Sequence, residues 1–157
     1  MGIFLADTAQ TVNAAEKQVN ELLERAGFVH TARCEWKRRS TWKVDAVDLA
    51  PKWGDTQLTP SFYVFVEAAA IPMAFANVDS LVRTGESPQP IEVPRFRPAT
   101  RRFLRRVSRE VETSLPWFQN FATPALCKQN LPNFVKPEAP AFAKIVMFLD
   151  SLDARER

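Results

Sequence analysis

Apolar residues recur at helical spacing in some stretches of the chain and alternate with polar ones in others, and these changes of period mark out its elements. Val12, Ala15, Val19, Leu22, Leu23 and Ala26 keep the period of an amphipathic helix. Asp7, with Gln10 three residues on, forms a capping-box start, and Gly27 supplies a left-handed terminator. A helix is therefore predicted over residues 8–26.

From Phe28 the period falls to two. The run FVHTARCEWKRRSTWKVDAVDLA reads as a β-hairpin that turns at Arg38, Arg39 and Ser40. Pairing residues whose numbers sum to 78 sets Trp36 against Trp42, Cys34 against Val44 and Ala32 against Ala46 on one face. The other face joins Glu35 to Lys43 and Arg33 to Asp45, opposite charges worth about 0.2 to 1 kcal/mol per pair. A one-residue slip would set apolar side chains against charged ones and invert a strand, so charge pairing is taken to fix the register.

Pro51 to Pro60, which includes Trp53, Gly54 and Asp55, has the composition of a loop. In the following SFYVFVEAAA, Phe62, Val64, Val66 and Ala68 alternate with Tyr63, Phe65 and Glu67. Both sides are mainly apolar, as in a central strand or one covered on both faces. Its expected neighbours are the hairpin and Ile91 to Val93. Ile71 to Arg83 keeps neither period cleanly, although Val78, Leu81 and Val82 suit a short helix begun at Asn77 or Asp79. Pro88, Pro90, Pro94 and Pro98 pace the next connection, which is expected to wrap the sheet as an edge segment.

Helical spacing returns at Pro98. Phe103, Leu104, Val107, Val111 and Leu115 form the apolar stripe of a helix over residues 98–115, and Arg101, Arg102, Arg105, Arg106 and Arg109 occupy the rest of its surface. Pro116 ends it, and Trp117, Phe118 and Phe121 are expected in the core. Thr123 and Pro124 start a short helix to about Leu131. A last helix over residues 140–154 carries Phe142, Ile145, Val146, Leu149 and Leu152 at core spacing. The elements add up to an α+β fold, one domain over residues 1–157, with a three- to four-stranded antiparallel sheet packed against about four helices.

Composition agrees, at 157 residues with 46% hydrophobic and 25% charged content, enough to bury about two-thirds of the unfolded surface. Charge changes the picture more. The formal net charge is +3, yet Arg95, Arg97, Arg101, Arg102, Arg105, Arg106 and Arg109 follow one another with no acid between them, so the remainder of the chain is net acidic. Within the helix the arginines crowd the amino end while Glu110 and Glu112 lie towards the carboxyl end, opposite to what the helix dipole favours. Either acids elsewhere in the fold absorb that field or an acidic ligand does. The start MGIFLADTAQ has no basic residue ahead of its apolar run, unlike a signal peptide, and Ala6 stands where myristoylation wants Ser or Thr. No stretch is long enough to span a membrane, and two unspaced cysteines suit a reducing cytoplasm.

Catalytic signatures are sparse. His30 is the one histidine, and on a continuous strand Cys34 would lie about 13 Å from it, out of hydrogen-bond reach. The register places Asp48 opposite His30 as an orienting carboxylate, and Glu67 is an acid among apolar strand residues. His30, Asp48 and Glu67 are thus the candidate polar site. His30, Cys34 and Cys127 are too scattered for a metal, and four isolated glycines make no phosphate loop, so neither a metal nor a cofactor is expected.

A helix followed by Gly27-Phe28, two strands with a basic hairpin, an apolar strand, a long connection and a helix ending in Pro116-Trp117-Phe118 resembles bacterial α+β domains of unknown function, some of them suspected immunity proteins of toxin systems. The resemblance covers residues 10–131, departs at the proline-rich segment and the dense arginines, and carries over no catalytic residue. It implies a non-enzymatic module of immunity or accessory type that holds a protein partner. The arginine helix raises a second expectation, nucleic acid or another polyanion bound through Arg101, Arg102, Arg105, Arg106 and Arg109. A small enzyme built on Glu67 or His30 is the third.

Overall fold

The computed structural model of the chain describes residues 5–66, 72–77 and 90–156. Helix α1 (Thr8–Arg25) leads into strands β1 (Val29–Ala32), β2 (Glu35–Arg39), β3 (Lys43–Lys52), β4 (Gln57–Val66), β5 (Pro72–Asn77) and β6 (Ile91–Glu92). Helices α2 (Thr100–Ser114), α3 (Pro124–Asn130) and α4 (Pro140–Glu156) follow, with 3-10 turns at Arg97–Ala99, Leu115–Phe121 and Leu131–Asn133. The fold is α+β with an antiparallel sheet ordered β1-β2-β3-β4-β5, and β6 also pairs with β4. The sheet therefore exceeds the three to four strands expected from the sequence. Two local events account for this: the first run folds back on itself, and Pro72–Asn77 is extended.

Helix α1 begins and ends as its caps dictate. Asp7 accepts hydrogen bonds from the amides of Ala9 and Gln10. At the other end Phe28 N donates to Leu23 O and Gly27 N to Glu24 O, closing a Schellman motif around Gly27 at φ 91°. A Cβ added at Gly27 would meet only Arg38 Cδ at 3.5 Å, so the backbone angle and not crowding calls for glycine there.

The hairpin register differs from the expected one by five positions. Observed partners are Glu35 with Asp48, Trp36 with Val47, Lys37 with Ala46, Arg38 with Asp45 and Arg39 with Val44. Glu35 and Lys43 are not neighbours, and Trp36 does not meet Trp42. Cys34 causes the shift: at φ 61° it turns the chain, so Ala32 pairs with Glu35 in a first hairpin and the second turn moves on to Ser40–Trp42. An odd displacement inverts β3, bringing Asp45, Val47 and Leu49 to the helix side. Arg38, expected in the turn, lies on that side too. It donates to Ala26 O at 2.9 Å and to Asp45 Oδ2 at 2.8 Å, and its guanidinium sits 4.5 Å from the centre of the Phe28 ring. Lys43 Nζ donates to Asp45 Oδ1 at 3.0 Å, completing a buried ionic knot.

The expected loop from Pro51 to Pro60 is mostly strand, with Pro51 opposite Leu58 and Leu49 opposite Pro60. On the far edge of β4, β6 pairs with Gln57 and Leu58 while β5 pairs from Ser61 onward. Pro60 occupies the gap between them, where a missing amide hydrogen breaks no ladder. The actual turn is Trp53–Thr56, with Trp53, Gly54 and Asp55 all at positive φ. Ile91 pairs with Leu58, as expected of an edge segment. Glu67, Val78, Leu81, Val82 and Pro88 lie outside the described residues.

Trp36, Val47 and Phe62 form one row across the sheet, and they join Val12, Val19 and Leu23 of α1, Phe103, Val107 and Val111 of α2, Cys127 of α3 and Ile145 and Leu149 of α4 in one core. Each fully buried side chain of this kind contributes about 1.5 to 3 kcal/mol. Pro116 opens the 3-10 turn that drops Phe118 and Phe121 into that core, as expected, with Trp117 partly buried against it. Phe118 packs 5.6 Å from Phe28 and 5.9 Å from Phe62, ring centre to ring centre. No helix among the described residues is long and apolar enough to cross a membrane.

Candidate functional site

At 100° per residue, Arg101, Arg105, Arg109, Arg102 and Arg106 sweep roughly 140° of α2, and Phe103, Val107 and Val111 fall on the opposite side. The packing follows this division. The three apolar residues are buried, α1 lies against α2 with Ser108 Oγ donating to Gln18 Oε1 at 3.2 Å, and all five arginines are exposed. Their only ion pair among the described residues is Arg106 Nε with Glu110 Oε1 at 3.1 Å, an exposed i,i+4 contact worth about 0.3 to 0.5 kcal/mol. Acids elsewhere are engaged by other side chains: Glu16 contacts His30, Asp55 holds Arg33, and Asp45 holds Arg38 and Lys43. Among the described residues, Arg101, Arg102, Arg105 and Arg109 have no carboxylate partner. The helix start adds to their positive field, because Ala99 gives it no side-chain cap and its first turn has no acid.

The basic surface extends upstream. Arg95, Phe96 and Arg97 are exposed between Pro94 and Pro98. Ala6 N donates to Arg95 O at 2.8 Å, Leu5 and Phe96 form a β-bridge, and Ala99 N donates to Phe96 O at 3.1 Å, so this short stretch is pinned on both sides. Arg95 and Phe96 line a groove of about 490 Å3 with Thr56, Gln57, Glu92, Val93 and Pro94. The neighbouring hairpin tip holds Trp53, 78% exposed.

Of the polar candidates, His30 and Asp48 do not come together, and Glu67 lies outside the described residues. His30 faces Trp36, not Asp48, because β1 pairs with β2. Its ring stacks on Trp36 at 5.1 Å, and its Nε2 lies 3.1 Å from Glu16 Oε2. The same oxygen accepts the Cys34 amide, and Trp36 Nε1 donates to Asn20 Oδ1 at 2.9 Å, so the cluster ties α1 to the first hairpin. Strand continuity between His30 and Cys34, the premise for separating them, fails at the Cys34 turn. The thiol is nonetheless no nucleophile at neutral pH: burial first, and Glu16 second, push it up to about 12. Burial does the same to Cys127. Asp48 lies between Glu35 and Ser61 across the sheet, away from His30.

The expectations missed Glu16, Phe96 and Trp53. Glu16 meets its partners only through the packing of α1 on the hairpin, which no spacing announces. Phe96 did carry a signal, an aromatic ring between two arginines inside a proline bracket. No protein-family model, curated protein or solved structure matches the chain.

Proposed function

We propose that this domain is a non-enzymatic binding module that takes a polyanion on the arginine face of α2. The observation that carries the reading is the exposure of Arg101, Arg102, Arg105 and Arg109 without a carboxylate partner among the described residues. A solvated helix face usually intersperses both signs, which lowers its own repulsion; this one concentrates a single sign at the helix end whose dipole already repels it. A polyanion relieves that repulsion and releases its condensed counterions, so binding strengthens steeply as salt is lowered. The test is a heparin and oligonucleotide binding series over a range of salt. Affinity should fall with salt, and replacing Arg102 and Arg105 by Glu should abolish it. Absence of binding to either probe at low salt would dispose of the reading.

A protein partner of immunity or accessory type is the second reading, and Trp53 favours it. A large ring held mostly in water at a hairpin tip is the kind of anchor that fills a partner's pocket. Affinity capture with Trp53→Asn beside the unaltered chain tests it: a specific partner should be lost with the ring.

A further inference from the structure

We infer that the polyanion is single-stranded nucleic acid and that Phe96 is the platform on which one of its bases stacks. The inference rests on the polyanion reading and narrows it. Phe96 is 62% exposed and is held next to the positive surface by a backbone fixed through Leu5, Ala6 and Ala99. Pro94 and Pro98 restrict the chain further, so little ordering remains to oppose binding.

Three classes of polyanion would meet this surface differently. Heparin brings negative charge but no planar aromatic face to lay on the ring, and an acidic protein segment brings one only where it happens to carry an aromatic residue, not with every repeat of its charge. A duplex keeps its base faces inside its own stack. A single strand offers both phosphates and free base faces, and stacking on an aromatic side chain tolerates any base. Beside the ring, Gln57 supplies a donor and an acceptor within the same groove, Thr56 Oγ1, whose hydrogen goes to Trp53 O, is left as an acceptor, and the positive charge of Arg95 stands against the single carboxylate of Glu92. The Arg97–Ala99 turn joins this groove to α2, whose arginines from Arg101 to Arg109 rise about 12 Å along the axis. At a phosphate every few ångströms that length neutralises about three charges, for a salt slope near −2 on a single strand. The ligand thus lays its backbone along α2 and one base over Phe96.

Fluorescence anisotropy of the full chain tests this with a labelled single-stranded oligodeoxynucleotide of about 12 nucleotides, the matching duplex, and an abasic strand of equal length. Heparin and polyglutamate serve as competitors. The single strand should bind about tenfold or more tighter than the duplex or the abasic strand. Phe96→Leu should weaken it about 5- to 100-fold, Phe96→Tyr should restore it, and neither should alter heparin binding. The comparison with the abasic strand needs no variant and stands even if Phe96→Leu fails to fold. Equal affinity for intact and abasic strands, or full binding by a folded Phe96→Leu, would overturn the stacking inference while heparin binding kept the polyanion reading. Polyglutamate competing as well as the oligonucleotide would assign the face to an acidic protein and also overturn it. Failure of every probe, heparin included, would remove both.

Discussion

Glu35 stands directly across the β2–β3 ladder from Asp48, two carboxylates in register on one face of the sheet. Like charges so placed oppose the pairing that brings them together. Burial, with Glu35 adding to it, pushes the Asp48 carboxyl up to about 6, while Lys37 pulls the other way. The folded state therefore holds this proton more tightly than the unfolded chain does. The associated stability is fully present below the unfolded carboxyl range and is lost as pH rises through about 6. Because Asp48 is only half-buried, the loss is about 1 kcal/mol after allowance for solvent screening. Asp48→Asn should flatten this part of the profile and stabilise the protein at neutral pH. Urea denaturation at a series of pH values between about 4 and 7 measures both effects.

Asp45 is the acid whose loss should cost most. It is buried, and it holds both Lys43 Nζ at 3.0 Å and Arg38 Nη2 at 2.8 Å. Asp45→Ala strands the buried Lys43 ammonium and frees the guanidinium that also ties down Ala26 O, so a destabilisation of about 3 to 5 kcal/mol is expected. A change in denaturation midpoint equivalent to less than about 1 kcal/mol would show that water reaches the knot.

Glu16 should matter through its backbone contact more than through its charge. Its Oε2 accepts the Cys34 amide at the left-handed turn that sets the sheet register. Glu16→Ala leaves that amide without its acceptor, at a cost of about 1 to 3 kcal/mol. Glu16→Gln retains a carbonyl oxygen and should recover most of the loss. Equal losses for the two variants in chemical denaturation would show that the interaction with His30 dominates instead.

Trp53 is strained and nearly unpacked, at φ 56° and 78% exposed. Asn tolerates the left-handed region far better, so Trp53→Asn should leave stability unchanged or raise it by about 0.5 to 1 kcal/mol. A lower melting temperature would mean that the ring packs on the fold in solution.

Where local chemistry decides structure, the chain was legible. Asp7 and Gly27 bound α1, Thr123 caps α3 through Leu126 N, and Pro116 ends α2. The register was not legible, because the two charged pairs that looked best on paper lost to a network absent from any pairwise view. Arg38 satisfies Asp45, the α1 carbonyl at Ala26 and the Phe28 ring at once, and only the register with Cys34 in a left-handed turn lets it. The arginine face was visible as a helical pattern, whereas its lack of internal partners depended on where the other acids came to rest. Phe96 gives no periodic signal: Phe103 falls in the apolar stripe of α2, whereas Phe96 precedes the helix.

Because Leu5 bridges Phe96 and Ala6 bonds to Arg95, the segment Leu5–Ala6 and the groove are physically continuous. A purification tag fused ahead of Met1 would be tethered only four residues from Leu5, at most about 14 Å along the chain from the surface to be assayed. A polyhistidine sequence there would add positive charge as it protonates and inflate oligonucleotide affinity, and a bulky carrier would shade the Phe96 ring. Affinity measurements on an N-terminally tagged protein would thus report on the tag, and cleavage before titration becomes part of the assay itself.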